Sequence, residues 1–202
     1  MGLFNNRQQA QALSQRQLLE NKYTEGRRNI YILLAMTVIN LFLLVTNSGR
    51  YFLFSASVPY LIADLAMALC GKYPPEYYGG EQYALLGDGV FYVMMGVAVL
   101  LLVMYLLCGI FSGKGRKGWL VFALVLFVLD SAVMVWLWVD MGCSMDSILD
   151  LVIHAMVLYS LYSGVSAANK LAKLPPEEEP TENFMDAFVQ SAEETAATST
   201  EE

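Results

Sequence analysis

The sequence contains three stretches that are long and apolar enough to cross a lipid bilayer, and this feature limits the possible folds most. They are residues 90–111, 119–139 and 148–168. The hydrocarbon core is about 30 Å thick, so a spanning helix needs roughly 20 mainly apolar residues. A fourth stretch, residues 30–45, is shorter, and it reaches the necessary length when Asn29 and Thr46 lie at the interface. The sequence therefore has four candidate membrane spans.

The composition agrees with a membrane protein. Hydrophobic residues make up 56% of the chain and charged residues 15%, and the mean hydropathy is +0.46. Soluble domains average about 25% charged residues. The bilayer core offers no water to hydrogen-bond the backbone, so a single spanning segment of this length must be a helix. The sequence predicts an all-α polytopic membrane protein with four transmembrane helices, over about residues 29–46, 90–111, 119–139 and 148–168.

A fifth apolar stretch, residues 51–70, is ambiguous because Pro59 interrupts it. The positive-inside rule distinguishes the alternatives. With four spans and a cytoplasmic N-terminus, every Lys and Arg except Arg50 and Lys72 lies on the inner side. A fifth span would move the N-terminal cations outside. Residues 50–89 are therefore predicted as a non-spanning outer segment, whose helix lies on the outer face or dips into it.

The two ends of the chain are predicted to be cytoplasmic and different in character. Residues 1–28 are polar and weakly amphipathic, which favours a helix along the inner surface of the cell membrane. Residues 169–202 turn acidic and rich in Ser, Thr and Ala, which is typical of a disordered tail. An apolar cluster within that tail could dock a partner or be a residual hydrophobic group. Its members are Phe184, Met185, Phe188 and Val189.

Ionisable residues inside the spans mark the candidate site. A charge at a helix centre costs of order 2.5–3.5 kcal/mol, so it needs a use or a partner. Asp130 lies near the middle of the third span, and Asp150 and His154 lie one turn apart on one face of the last. These residues could form an outward-opening site for a cation, a cationic ligand or a proton, or a purely structural interhelical pair. Asp64 would join the pocket if the outer segment dips, and the flat arrangement is favoured.

Small residues and cysteines add two predictions about packing. Ser160, Gly164 and Ala168 recur every four positions, which indicates a seam for close helix packing, either within the bundle or between two copies. The internal seam is the simpler alternative. Cys70 and Cys143 both fall on the outer side, where a disulfide would join the outer segment to the loop before the last span.

Missing motifs limit the function. The sequence has no HExxH, GxSxG, Walker A or GxGxxG pattern. Its single histidine rules out a two-histidine zinc site, and no metal or cofactor is predicted. No basic stripe with interleaved aromatics predicts a nucleic-acid partner.

Two functions are carried forward from these observations. The predicted function is a non-enzymatic accessory or scaffold protein of the lipid bilayer, which packs with a protein partner or a second copy. The alternative is a small transporter or channel-like protein with an Asp/His ion or proton site. An intramembrane carboxylate enzyme ranks last.

Overall fold

The computed structural model describes residues 2–80, 84–113, 115–141 and 145–175, with side chains from residue 15 onward except at 141 and 145–147. These residues form five α-helices and no strand. The helices are α1 (Gly2–Val45), α2 (Ser57–Leu69), α3 (Asp88–Ser112), α4 (Lys117–Met141) and α5 (Met145–Leu171). The packing described below is that of one compact unit, Met1–Ala172.

Four of the helices are long and apolar enough to cross a membrane. The qualifying segments are Gln15–Val45, Asp88–Ser112, Lys117–Asp140 and Ile148–Leu171. The remaining helix, α2, is too short to span. The predicted fold class, four transmembrane helices plus a non-spanning helical segment, is therefore confirmed. Large apolar side chains such as Phe42, Val93 and Val139 are exposed on the outside of the bundle, where lipid would cover them.

The first helix differs from the expectation of a surface helix followed by a separate span. Helix α1 runs without interruption from Gly2 to Val45. Gly26 lies within this helix and does not end it. The glycine allows another helix to pack closely against α1 at this position. A Cβ at Gly26 would lie 3.3 Å from the Cα of Gly164 and from the carbonyl oxygen of Ser160. The polar N-terminal segment and the first span are thus one continuous helix.

Polar contacts join the helix ends on the side of the bundle that carries the connection between α3 and α4, here called the loop end. The Tyr23 hydroxyl donates to the carbonyl oxygen of Ser112 at 2.6 Å, which ties α1 to α3. Lys117 Nζ donates to Asn169 Oδ1 at 3.1 Å, which ties α4 to α5. The opposite end, which carries residues 46–87, is called the cap end.

Two apolar cores fill the bundle. The first is built around Phe127, Leu120 and Leu161, all nearly inaccessible to solvent, and joins α1, α3, α4 and α5. The second joins α1, α2 and α3. Its buried members are Leu41, Leu44, Ala63, Met67, Ala98 and Leu102. Because α2 contributes to this second core, it lies among the long helices and not on top of them.

Candidate functional site

Two polar side chains of α1 hold the chain that leads into α2. The Asn40 side chain forms a reciprocal pair with the backbone of Phe52, accepting from its N–H at 2.8 Å and donating to its carbonyl at 2.7 Å. Thr37 Oγ1 accepts the N–H of Ala56 at 2.8 Å and donates to the carbonyl of Leu33 at 2.7 Å. Asn40 and Thr37 are fully buried. Backbone groups that enter a bilayer need such partners, because lipid supplies none.

Asp130 of α4 caps the start of α2. Its Oδ2 accepts the N–H of Ser57 at 2.9 Å, and its Oδ1 accepts the N–H of Val58 at 2.8 Å. The residue before α2, Ala56, supplies no side-chain cap of its own. Pro59 is the third residue of α2 and has no N–H to satisfy, so it fits the first turn and does not break a helix there. The carboxylate also faces the positive end of the helix dipole.

This contact fixes the depth of α2. Asp130 lies roughly 20 Å along α4 from its start at Lys117, by the rise of 1.5 Å per residue, and therefore near the middle of the helix. The N-terminus of α2 reaches that level. Residues 46–69 thus form a re-entrant segment, which enters from the cap end and returns to it. The dipping arrangement is the one found, and the flat arrangement favoured for Asp64 is wrong.

His154 of α5 lies against both carboxylates of the spans. Its Nε2 is 3.5 Å from Asp130 Oδ2 and 3.3 Å from the Ser57 hydroxyl. Its Nδ1 is 2.9 Å from the backbone oxygen of Asp150 and 3.3 Å from that residue's Oδ1. The ring of Phe127 stacks on the imidazole, with centroids 5.1 Å apart and planes 7° apart. The cluster Asp130–His154–Asp150 is therefore buried and shared by α4 and α5.

A cavity of about 250 Å³ opens at the cap end beside this cluster. Ten residues of the re-entrant segment, α4 and α5 line it. They are Tyr51, Ser57, Tyr60, Leu61, Asp64, Val133, Met134, Leu137, Trp138 and Asp150. Asp130 and His154 lie outside this lining, whereas Asp150 takes part in both the cluster and the cavity. Its Oδ1 is buried and, within the described part of the chain, accepts no hydrogen bond, although His154 Nδ1 lies 3.3 Å away as an ion contact.

Asp64 reaches the cavity from α2. The hydroxyl of Tyr73, in the segment after α2, donates to Asp64 Oδ1. Burial raises the pKa of Tyr73, and the hydrogen bond to the Asp64 carboxylate raises it further. The phenol therefore stays a neutral donor. This contact fixes Asp64 on one side of the cavity, while Asp150 approaches from α5.

The other predicted residues have simpler surroundings. Ser160 Oγ accepts from Asn29 Nδ2 at 2.5 Å, and Gly164 faces Gly26, so this seam packs α5 on α1 inside the bundle. Ala168 is half-buried farther along α5. Cys70 is buried, with its sulfur 3.7 Å from the carbonyl oxygen of Gly87. Cys143 lies outside the described residues, so the disulfide stays a prediction. The apolar cluster of the tail also lies outside them, so its docking of a partner stays a prediction.

Sequence reasoning did not identify several residues that build the site. Thr37 and Asn40 were visible as polar interruptions of an apolar stretch, which is the signal that could have marked them as partners of a re-entrant backbone. Trp138 stands near the end of an apolar span, where a tryptophan is ordinarily an interfacial anchor, so its sequence position gives no sign of a cavity. Ser57 carried no signal, because its role depends on backbone groups that reach across the fold.

The arrangement of Ser57, His154 and Asp150 invites comparison with a nucleophilic triad, but the backbone donors nearest Ser57 are already in use. Acyl transfer needs donors for the developing oxyanion. The two N–H groups at the start of α2 already bind Asp130, and Pro59 has none. In the residues that the structure describes, no three His, Cys, Asp or Glu side chains are placed to hold a metal ion either.

The fold and the site define a class: a small polytopic helical membrane protein with a re-entrant helix capped by an intramembrane carboxylate. Comparison of the chain with protein-family models, with curated proteins and with solved structures gives no match.

Proposed function

We propose that this chain is a non-enzymatic integral membrane protein of the accessory or scaffold type, which packs with a protein partner through its helices or its acidic tail. The observation that carries the proposal is the capping of α2 by Asp130. Both oxygens of that carboxylate are occupied by backbone N–H groups, at 2.9 Å and 2.8 Å. A charge used in this way stabilises a shape and leaves little capacity for chemistry.

The neighbouring polar groups support the same proposal. Asn40, Thr37 and His154 are buried and bonded to the re-entrant segment or to the acids beside it. No free donor remains at the start of α2 to stabilise an oxyanion, which argues against hydrolytic chemistry at Ser57. The polar interior is best understood as the device that keeps the cap end rigid.

The seam on α5 narrows the choice of partner surface. Gly164 and Ser160 are covered by α1, since a Cβ at Gly164 would lie 3.3 Å from the Cα of Gly26. A second copy of the chain therefore has no access to this seam. A partner in the membrane would use the outer faces of the long helices, and a partner in the cytoplasm would use the tail.

Co-purification from cross-linked membranes tests the accessory role. We compare the full chain with a chain that lacks residues 175–202 and with one whose tail has the same composition in scrambled order. A partner lost in both altered chains supports docking by the tail sequence, and one retained in both supports docking through the helices. An unrelated four-helix membrane protein, cross-linked and purified in the same way, serves as the control. Recovery of the same partner with this control would contradict the accessory role.

The transporter alternative is favoured by one observation, the buried Asp150 carboxylate beside an open cavity, whose Oδ1 contacts His154 but accepts no hydrogen bond. Ion and proton flux into liposomes containing the purified protein tests it. Flux that is lost in Asp130→Asn and His154→Ala, and kept in the exposed control Asp140→Asn, would replace the accessory role by transport. Absence of flux in all four proteins would reject the alternative.

A further inference from the structure

The cavity at the cap end has the chemistry of a site for an organic cation. Two carboxylates reach it from different helices, Asp64 from α2 and Asp150 from α5. Apart from Ser57, the remaining wall is aromatic or apolar. Such a lining combines a charge that selects a cation with surfaces that accept its carbon atoms.

Formal charge favours a positive ligand. The carboxylates of Asp64, Asp130 and Asp150 lie in or next to the cavity, and within the described residues His154 forms ion contacts with Asp130 and Asp150. Among the residues that line the cavity, the two ionisable groups other than tyrosine are both carboxylates, Asp64 and Asp150. The Asp150 Oδ1 has no hydrogen-bond partner in the described structure, although the residue is only 8% exposed. His154 Nδ1 lies 3.3 Å from this oxygen as an ion contact, and a cation in the cavity would supply the hydrogen bond or further charge contact that the buried carboxylate still lacks.

The aromatic wall points to an ammonium group. Tyr51 and Tyr60 meet edge to face, with ring centroids 4.9 Å apart, and Trp138 lines the cavity from α4. Ammonium groups bind the faces of Trp and Tyr rings, and cages of several rings recognise quaternary ammonium ions. Burial raises the pKa of Tyr51 to about 12, so this phenol is neutral and serves as a ring and hydrogen-bonding group.

An inorganic ion fits the same walls poorly. Hard cations such as Ca²⁺ take six to eight oxygen ligands. No three acidic, His or Cys side chains in the described ranges converge as a metal site. Leu61, Val133 and Leu137 instead give the cavity an apolar side. Its volume of about 250 Å³ suits a ligand of only a few carbon atoms besides the charged group.

From these features we infer that the cavity between α2, α4 and α5 binds a small organic ammonium ion, with Asp64 and Asp150 facing the charge and Tyr51, Tyr60 and Trp138 facing the alkyl groups. The ion could be the headgroup of a lipid at the cap end or a free amine, since both present the same group. Binding of such an ion would be a property in addition to the accessory role, and it does not imply that the protein transports the ion.

Calorimetric titration of the purified full chain in a maltoside detergent tests the inference, with choline as the probe. Its neutral isostere, 3,3-dimethylbutan-1-ol, has the same shape without the charge. We expect saturable choline binding, with the isostere weaker by about tenfold or more, since it lacks the cation–π attraction. The site would be overturned if choline showed no saturable binding, or if the isostere bound as tightly as choline. It would also be overturned if potassium chloride displaced bound choline as effectively as unlabelled choline does at the same concentration.

Matched variants locate the binding. Asp64→Asn and Trp138→Leu should each weaken choline by about tenfold, whereas Asp140→Asn and Trp136→Leu should leave it unchanged. Trp136 lies on the same helix as Trp138 but is 68% exposed, and Asp140 is exposed near the end of α4. Unchanged binding in the first pair would overturn the site. Size-exclusion profiles and helical circular dichroism check folding, and the isostere and potassium comparisons on the unaltered chain hold even if a variant misfolds.

Nanodiscs distinguish the two sources of the ammonium group. Choline binding that is weaker in phosphatidylcholine than in phosphatidylglycerol nanodiscs identifies the lipid headgroup as the occupant. Equal binding in both identifies a free amine. Loss of binding in both lipids would contradict the inference, because the site would then exist only in detergent.

Discussion

At the scale of single residues, the Asp130 carboxylate contributes most to the architecture. It links α4 to two backbone N–H groups of α2 and lies 3.5 Å from the imidazole of His154 in α5. Three elements thus meet at one side chain that is 3% exposed. Buried charges with this many partners are strongly destabilising to remove, because each partner loses its counterpart in a place that water does not reach.

Asp130→Ala should therefore lower the free energy of unfolding by about 3–5 kcal/mol. The matched control is Asp140→Ala on the same helix, where the side chain is exposed and the expected change is within about 0.5 kcal/mol. Thermal unfolding of the detergent-solubilised proteins measures both. Equal stability of the two variants would show that Asp130 does not hold α2.

Thr37 allows a second comparison at this scale. Thr37 and Thr46 both donate to the carbonyl four residues earlier, at 2.7 Å and 2.9 Å, but only Thr37 also accepts a buried N–H, that of Ala56. Thr37→Val should cost about 1–3 kcal/mol, because that N–H is left unsatisfied. Thr46→Val, at an exposed position, should cost less than about 0.5 kcal/mol. Unfolding midpoints in the same detergent test this, and similar losses would refute it.

At the scale of helices, the packing of α1 on α5 depends on glycine. Gly26→Leu would place a side chain where a Cβ already lies 3.3 Å from backbone atoms of α5, so the helices must separate. Overpacking of this kind costs about 1–3 kcal/mol. Gly96→Leu on α3 has no neighbour within 4 Å of the new Cβ and should be nearly neutral. Thermal stability of the two variants decides the matter; a stable Gly26→Leu would mean that the seam is loose.

The sequence predicted the long helices and the depth of their acids, because both follow from length, hydropathy and helical rise. Asp130 and His154 could be matched in depth in this way, and they do lie close together. The depth of α2 could not be predicted. It depends on hydrogen bonds that Asn40 and Thr37 form with the backbone of residues 52 and 56. A sequence pattern shows which side chains are polar, but it does not show which backbone amide each of them will contact.

At the scale of the whole molecule, basic residues gather at the loop end. Lys22, Arg27 and Arg28 of α1 lie level with Arg116 and Lys117, as the contacts Tyr23–Ser112 and Arg27–Ser112 show. The positive-inside rule then favours a cytoplasmic loop end. The cap end, with the re-entrant segment and the cavity, would face the opposite side.

Labelling of engineered cysteines tests this orientation in a chain whose own three cysteines are replaced by alanine. Probes at the exposed positions Glu20 and Arg116 should react only after the membrane is permeabilised, since the positive-inside rule predicts a cytoplasmic loop end. A probe at the exposed position Ser48 should react in intact cells. Reaction of the Glu20 probe in intact cells would reverse the topology and place the cavity on the cytoplasmic side.

The long-range capping of α2 also constrains how the protein is made. Ser57 and Val58 are separated from Asp130 by 73 and 72 positions. While the ribosome has not yet supplied α4, those two amides have no acceptor, and an unsatisfied amide in hydrocarbon costs several kcal/mol. We therefore expect the re-entrant segment to reach its final level only after α4 has been inserted, so that α2 takes its place later than its position in the chain suggests.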